Sequence, residues 1–423
     1  MKGFIKKTLS FTCVAGVVAS LVACGSATSN EGGSQTTNNS KTGEITFWSV
    51  FTGPDGEIMT KLVNEYNKTN PKYKVKHVPM EQNDLYSKIP TVVGSGKDVP
   101  DLTISHAERI PLFVEQDILM PLTGYIEGDD EIKGDNYISN AWEVGSIDGE
   151  QYSIPLDVHS FVTYYNEDLV EKYAPGILDD NVLTMEEVIE ASNNAAADGI
   201  KGVGITWMQK QYLSYLAQLN GDITEDGNMP TLNSSESIEV LTKLAKLVED
   251  GVATQDGDDP GQLFRSGQLL FLPEGTWMLT SLTDIPNLNF GITNMPTFDA
   301  SNQINCSSSH QFVMLKNKTM TDEKAEGILD FITWIGQNSL EWAKAGQIPA
   351  NLAIAENEEF KQLKHSFILD DTSTIKIFDY KYFGYAVEAL DKVVFEACFG
   401  RLTPEDAANQ MQKEAEEKVK MAQ

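Results

Sequence analysis

Two short pairs of side chains carry the chemistry. Asp157 and His159 stand two apart in the run Tyr152-Ser-Ile-Pro-Leu-Asp-Val-His-Ser-Phe-Val-Thr-Tyr-Tyr-Asn166. In extended backbone, residues two apart share a face, so a carboxylate and an imidazole point together. His106 and Glu108 repeat that spacing at the end of another β-type run. An ionised carboxylate accepts strong hydrogen bonds, and an imidazole donates or accepts. The plainest alternative is a solvated turn closed by a local Asp–His hydrogen bond.

The elements that must position these pairs follow from pattern. Pro155 cannot donate to a sheet ladder. It divides the run into a strand ending at 152–154 and another beginning at 161–165, with Asp157 and His159 on the connection. Upstream, 45–50, 73–78 and 100–105 read as strands. Between them, Ile58, Met59, Leu62, Val63 and Tyr66 give helical periodicity, and 84–93 reads as a helix stopped by Gly94-Ser-Gly96. A short helix over 109–117 completes an alternation that predicts a mostly parallel sheet covered on both faces. Asp148-Gly149 predicts a hairpin turn.

Downstream, Thr184-Met-Glu-Glu187 is a capping box opening a helix to 197. Strands are expected at 200–206, 289–293 and 312–315. Helices are expected at 212–219, 237–248, 323–335, 340–345 and 385–399, with a last one capped by Thr403-Pro404. Two α/β regions joined by extended segments predict two lobes with a cleft between them.

Charge narrows the partners. The 423 residues carry 62 acidic and 32 basic side chains, a formal charge of -30, which repels nucleic acid and anionic headgroups. Arg109, Arg265 and Arg401 are the only arginines, so an anionic ligand is disfavoured. Lys2, Lys6 and Lys7 precede an apolar run ending in Leu21-Val22-Ala23-Cys24-Gly25. That ending resembles a bacterial lipobox, which implies a signal peptide over 1–23 and lipid on Cys24. Residues 24–43 are polar enough to serve as a tether. Cys306 and Cys398 are expected as free, buried thiols. The sequence has no metal-type cysteine spacing, no Gly-x-Ser-x-Gly and no phosphate loop, and neither metal nor cofactor is expected.

Several stretches together resemble the extracellular solute-binding proteins of ABC importers, in the maltose-binding-protein-like family 1. They are Ile45-Thr-Phe-Trp48 with Thr52-Gly-Pro-Asp-Gly56; Pro100-Asp-Leu-Thr-Ile-Ser-His106; the Asp157–His159 run; Phe264-Arg-Ser-Gly267 leading to Gly275-Thr-Trp277; Ser308-Ser-His310; and Glu341-Trp-Ala-Lys-Ala-Gly-Gln-Ile-Pro-Ala350. They cover nearly all of the mature chain and look most like the branch that takes sugars, although Ser160 stands where that branch often carries proline. The resemblance implies an α/β, two-lobed periplasmic-binding-protein fold of type II, its lobes joined by crossing segments around a central cleft. One lobe would hold 44–156 and 301–349, the other 157–300 and 350–423.

It further implies a monomeric lipoprotein on the extracellular face of the cytoplasmic membrane, delivering a neutral mono- or oligosaccharide to a permease. A sugar offers hydroxyls and apolar C–H faces, which planar polar groups and aromatic rings answer. The expected platforms are Trp48, Trp207 and Trp277, with Trp142, Trp334 and Trp342 read as core. The expected hydroxyl partners are Asp157, His159, His106, Glu108, Glu274 and His310, then Asp55, Glu81, Gln347, Asn351 and Tyr385. Two other classes fit parts of the set. A secreted glycoside hydrolase would use paired carboxylates from Asp157, Glu108 and Glu274. A zinc-binding lipoprotein would use His106, Glu108 and His159.

Overall fold

The computed structural model describes residues 43–423. The signal segment, Cys24 and all of the tether but Gly43 lie outside the described residues. Along the chain the strands are β1 (Gly43–Ser49), β2 (Tyr73–Pro79), β3 (Leu102–His106), β4 (Ser146–Ile147), β5 (Glu150–Gln151) and β6 (Ile154–Pro155). Then come β7 (Asp157–Asn166), β8 (Lys201–Val203), β9 (Leu269–Gly275), β10 (Phe290–Thr293), β11 (Asn305–Ser308), β12 (His310–Met314), β13 (Ile348–Pro349) and β14 (Ile375–Ile377).

They form two main sheets. The first has the order β2-β1-β3-β12-β6. Its β1–β2 and β1–β3 pairs are parallel, as the strand–helix alternation predicts. β12 arrives from far along the chain and pairs antiparallel with both β3 and β6, so the sheet is mixed rather than mostly parallel. The second has the order β14-β11-β7-β9-β8, with β10 and β13 also on β7. β7 is antiparallel to β9, β10, β11 and β13. Its ten residues are nearly all buried, as a strand contacted on every side must be.

Pro155 ends the two-residue edge strand β6, where its missing N–H costs no ladder bond. The expected connection is shorter than the sequence suggests. Asp157 already opens β7, so Asp157 and His159 lie within the strand. Leu156 alone separates a strand of the first sheet from one of the second, and Ser309 does the same between β11 and β12. At a third place β13 pairs with Asp157 and Val158, and Ala350 N–H donates to Leu156 C=O at 3.0 Å.

Local signals read from sequence recur. Asp148 and Gly149 both take positive φ in the β4–β5 hairpin, which suits Asp-Gly. Thr184 and Glu187 form the reciprocal capping box of the helix Met185–Ala195. Thr403 caps Pro404–Ala422. One apolar core spans the first sheet and the helix Asp322–Gln337. Another packs the helices Met208–Gln218, Ser235–Glu249, Phe383–Cys398 and Pro404–Ala422 against the second. Cys306 and Cys398 are free and buried in that core. Among the described residues no helix is long and apolar enough to cross a membrane.

Candidate functional site

Strand register assembles a polar floor. β12 pairs with β3 so that His310 lies opposite His106, and β11 pairs with β7 so that Ser308 lies opposite His159. Asp157 sits beneath, with no exposed surface. Its carboxylate accepts from Trp342 Nε1 at 2.7 Å, from His310 backbone N–H at 3.1 Å and from His310 Nδ1 at 2.8 Å. His159 Nδ1 lies 3.4 Å from its other oxygen, a longer and weaker contact. Burial opposes charge on Asp157 and on His310. Their mutual attraction overcomes it, holding the carboxyl below its usual range and the His310 ring above its own.

The other rings differ. Burial pushes His159 down, and the charge of His310 adds to it. Burial also pushes His106 down. Glu108 is held below the usual carboxylate range although burial opposes this, because the neighbouring His106 ring, Lys210 and the Ser308 hydroxyl favour the anion. Ser308 Oγ donates to Glu108 Oε2 at 2.6 Å.

An aromatic wall rises beside the second sheet. Trp277 follows β9 and stands edge-on to His159, with centroids 5.9 Å apart. A Cβ at position 275 would collide with the Trp277 indole, so only glycine lets the ring fold back there. Trp207 meets Trp277 at 5.9 Å and 83°. Trp207 is 48% exposed and holds φ 35°, ψ 57°, a left-handed conformation costly for a bulky residue. Its indole N–H donates to Glu274 at 2.9 Å, and Thr206 Oγ1 anchors the preceding residue on Pro273 C=O. Opposite, Phe51 packs edge-on against His310 and Trp342, each at 4.8 Å.

Floor and wall enclose a cavity of about 380 Å³, within the range of small-molecule sites. Asp55, Gln82, His106 and Glu108 reach it from segments around the first sheet, and His159, Trp207, Lys210 and Trp277 from segments around the second. Gln347 lines it just before β13, only 3% exposed, and its Oε1 has no hydrogen-bond partner among the described residues.

A family described as bacterial extracellular solute-binding proteins matches residues 61–367. The chain belongs to that family. This solute-binding protein is 24% identical over 335 residues to the sn-glycerol-3-phosphate-binding periplasmic protein UgpB of Brucella melitensis, covering 74% of this chain and 76% of that one. It is 24% identical over 339 residues to the arabinooligosaccharide-binding protein of Halalkalibacterium halodurans, covering 75% and 74%. The fold matches the sugar-binding protein MalE from Xanthomonas citri with a TM-score of 0.78 at 17% identity, over 90% of this chain and 98% of that one.

The solute-binding protein brings Asp55, His106, Glu108, His159, Trp207, Trp277, His310 and Gln347 to one cavity. The other expected contacts fall elsewhere. Trp48 is 6% exposed in an apolar core on the first sheet, with Lys88 Nζ 4.6 Å from its ring centroid. Asp157 lies under the floor and orients rings instead of facing the cavity. Glu274 stands behind Trp207. Glu81 is exposed at the start of the helix Gln82–Ser95, and its neighbour Gln82 lines the cavity. Asn351 caps the 3-10 turn Leu352–Glu356. Tyr385 stacks on Tyr382 at 6.2 Å, while Phe383 and Val387 of the same helix reach the cavity.

Trp342 is fully buried, and Trp142 and Trp334 pack on the core of the first sheet, as read. Phe51, Gln82, Lys210 and Ser308 escaped the sequence reading. Lys210 lies one helical turn beyond Trp207 and Ser308 opens the quoted Ser308-Ser-His310, so a signal existed for both.

Proposed function

We propose that this protein captures a neutral sugar or short oligosaccharide between its lobes and delivers it to an ABC permease. The observation that carries this reading is the Trp207–Trp277 corner standing over a floor of imidazoles and amides. Aromatic faces take up apolar C–H surface, and the floor offers donors and acceptors for hydroxyls. Trp207 leaves a large apolar face in solvent at a strained backbone position, and strain of this kind persists where a site requires it. Gln347 Oε1 supplies an acceptor that a guest's hydroxyl would satisfy.

A neutral guest fits better than an anionic one. Among the described residues no arginine lines the cavity, Lys210 is its one lysine, and the carboxylates of Asp55 and Glu108 face the same space. Binding without bond cleavage fits too. Asp157 is wholly enclosed and engaged by His310 and Trp342, so it has no access to a glycosidic oxygen, and the paired-carboxylate hydrolase loses its best member. The lobe boundaries implied by the family, 44–156 with 301–349 and 157–300 with 350–423, belong to this proposal. So do export, lipid on Cys24 and a monomeric state. Closure of the lobes around the guest would give the form the permease reads.

Calorimetric titration against plant- and starch-derived oligosaccharides, with sn-glycerol 3-phosphate in parallel, tests the reading. One carbohydrate should bind at one site with micromolar or tighter affinity, about -8 kcal/mol. Tighter binding of the phosphate ester, or release of reducing ends, would overturn it.

A further inference from the structure

The three floor histidines form a group of their own. His106, His159 and His310 each offer a ring nitrogen, and these nitrogens lie within 4.8 Å of one another. It is the one such trio of His, Cys, Asp or Glu side chains among the described residues. Ring centroids are separated by 4.4 Å for His159–His310, 4.8 Å for His106–His310 and 5.6 Å for His106–His159. Around a tetrahedral ion at a metal–nitrogen distance of 2.0–2.1 Å, three imidazole centroids stand roughly 5 Å apart.

Each ring is also held from behind. His310 Nδ1 and His159 Nδ1 face the Asp157 carboxylate at 2.8 and 3.4 Å. His106 Nδ1 lies 2.5 Å from Tyr86 Oη, which also accepts from His106 backbone N–H at 2.9 Å. Among the described residues none of the three Nε2 atoms has a hydrogen-bond partner. Ligating histidines commonly anchor one nitrogen on a carboxylate or other oxygen and turn the second to the metal. Nitrogen ligands select the zinc, nickel, copper and cobalt class over magnesium or calcium.

We propose that His106, His159 and His310 bind one divalent transition-metal ion through their Nε2 atoms at the floor of the interlobe cavity. Three protein ligands leave a coordination position facing the cavity, for water or for an oxygen of the guest. The trio differs from the one suggested by the spacing of His106 and Glu108. His310 takes the third place, and Glu108 bonds Ser308 instead. His310 ligates as the neutral ring, keeping Nδ1–H on Asp157 and releasing its Nε2 proton to solvent. His106 ligates with its proton on Nδ1, donated to Tyr86 Oη. The site stands whether or not the guest is a sugar.

Full-length protein stripped with chelator and titrated with zinc chloride, with magnesium chloride in parallel, tests the proposal. One zinc per chain should bind, with no heat from magnesium. Cobalt(II) should give the intense visible absorption of a tetrahedral centre. His159→Gln and His106→Gln should each weaken zinc at least tenfold and abolish the cobalt band, while thermal melting reports that both variants fold. Absence of stoichiometric zinc binding in the wild type overturns the proposal. So does zinc binding unchanged in both folded variants, which would place the ion elsewhere. Carbohydrate titration of the stripped protein separates this outcome from failure of the sugar reading.

Discussion

The floor and the wall of the cavity use the same residue types to opposite ends. At the floor, Trp342, Asp157 and His310 are buried and mutually bonded, so each side chain satisfies another. At the wall, Trp207 and Trp277 meet edge to face, and Trp207 leaves half its surface in solvent on a left-handed backbone. The Asp157–His310–Trp342 cluster beneath the cavity is therefore organised for stability and the wall for a guest. Substitutions should separate the two: changes in that buried cluster act on unfolding, wall changes on affinity.

The largest effect is expected at Asp157. Asp157→Ala strands His310 and the Trp342 indole N–H in a buried setting, a loss of about 3–5 kcal/mol. Urea unfolding measures it, and a loss below about 1 kcal/mol would erase the distinction between floor and wall.

Acidification is next. Burial lowers His77 to about 4, His106 to about 3 and His365 to about 4. The unfolded chain takes up these protons first, so stability falls as pH drops below about 6.5, by roughly 2 kcal/mol for each such group at pH 5. His310, raised by Asp157, works the other way: its contribution is present below about 6.5 and lost as pH rises through its folded value. The depressed rings outnumber it, so the urea midpoint should be lower at pH 5 than at pH 7. A rise would show that the Asp157–His310 pair dominates.

At the wall, Trp277→Ala should weaken carbohydrate binding at least tenfold, about 1.4 kcal/mol, with the melting temperature within a few degrees of the wild type. Unchanged affinity with a large stability loss would move Trp277 to the core. The smallest effect is expected from Trp207→Gly. Glycine adopts the left-handed conformation without strain, so stability should hold or rise by about 1 kcal/mol while affinity falls. A clear loss of stability in thermal melting would show that the indole–Glu274 bond supports the fold.

The sequence made the wall more legible than the floor. Trp277 stands just past the end of β9, and Trp207 lies beyond β8, which stops at Val203 and not at the expected 206; in both, local pattern already argues for exposure. Trp48 deceived because β1 is covered on both faces: Phe47 enters one core and Trp48 another, beneath the helix Gln82–Ser95. Which faces are covered depends on packing that no local pattern encodes. Asp157 and His159 do share a face, as their spacing requires. The depth of that face is set by β11 and β13, which reach β7 from residues about 150 and 190 positions along the chain. Another long-range pairing, of β12 with β3, places His310 beside His106, a neighbourhood no spacing rule would find. The parallel core of the first sheet was readable from strand–helix alternation, but the antiparallel insertion of β12 was not.

A crystal structure of the protein with its best-binding carbohydrate tests the central claim most directly. A sugar ring should lie between the lobes, one apolar face on the Trp277 indole and a hydroxyl within hydrogen-bond distance of Gln347 Oε1. Carbohydrate bound outside this cavity, or a closed form with Trp207 and Trp277 collapsed into the space, would contradict it.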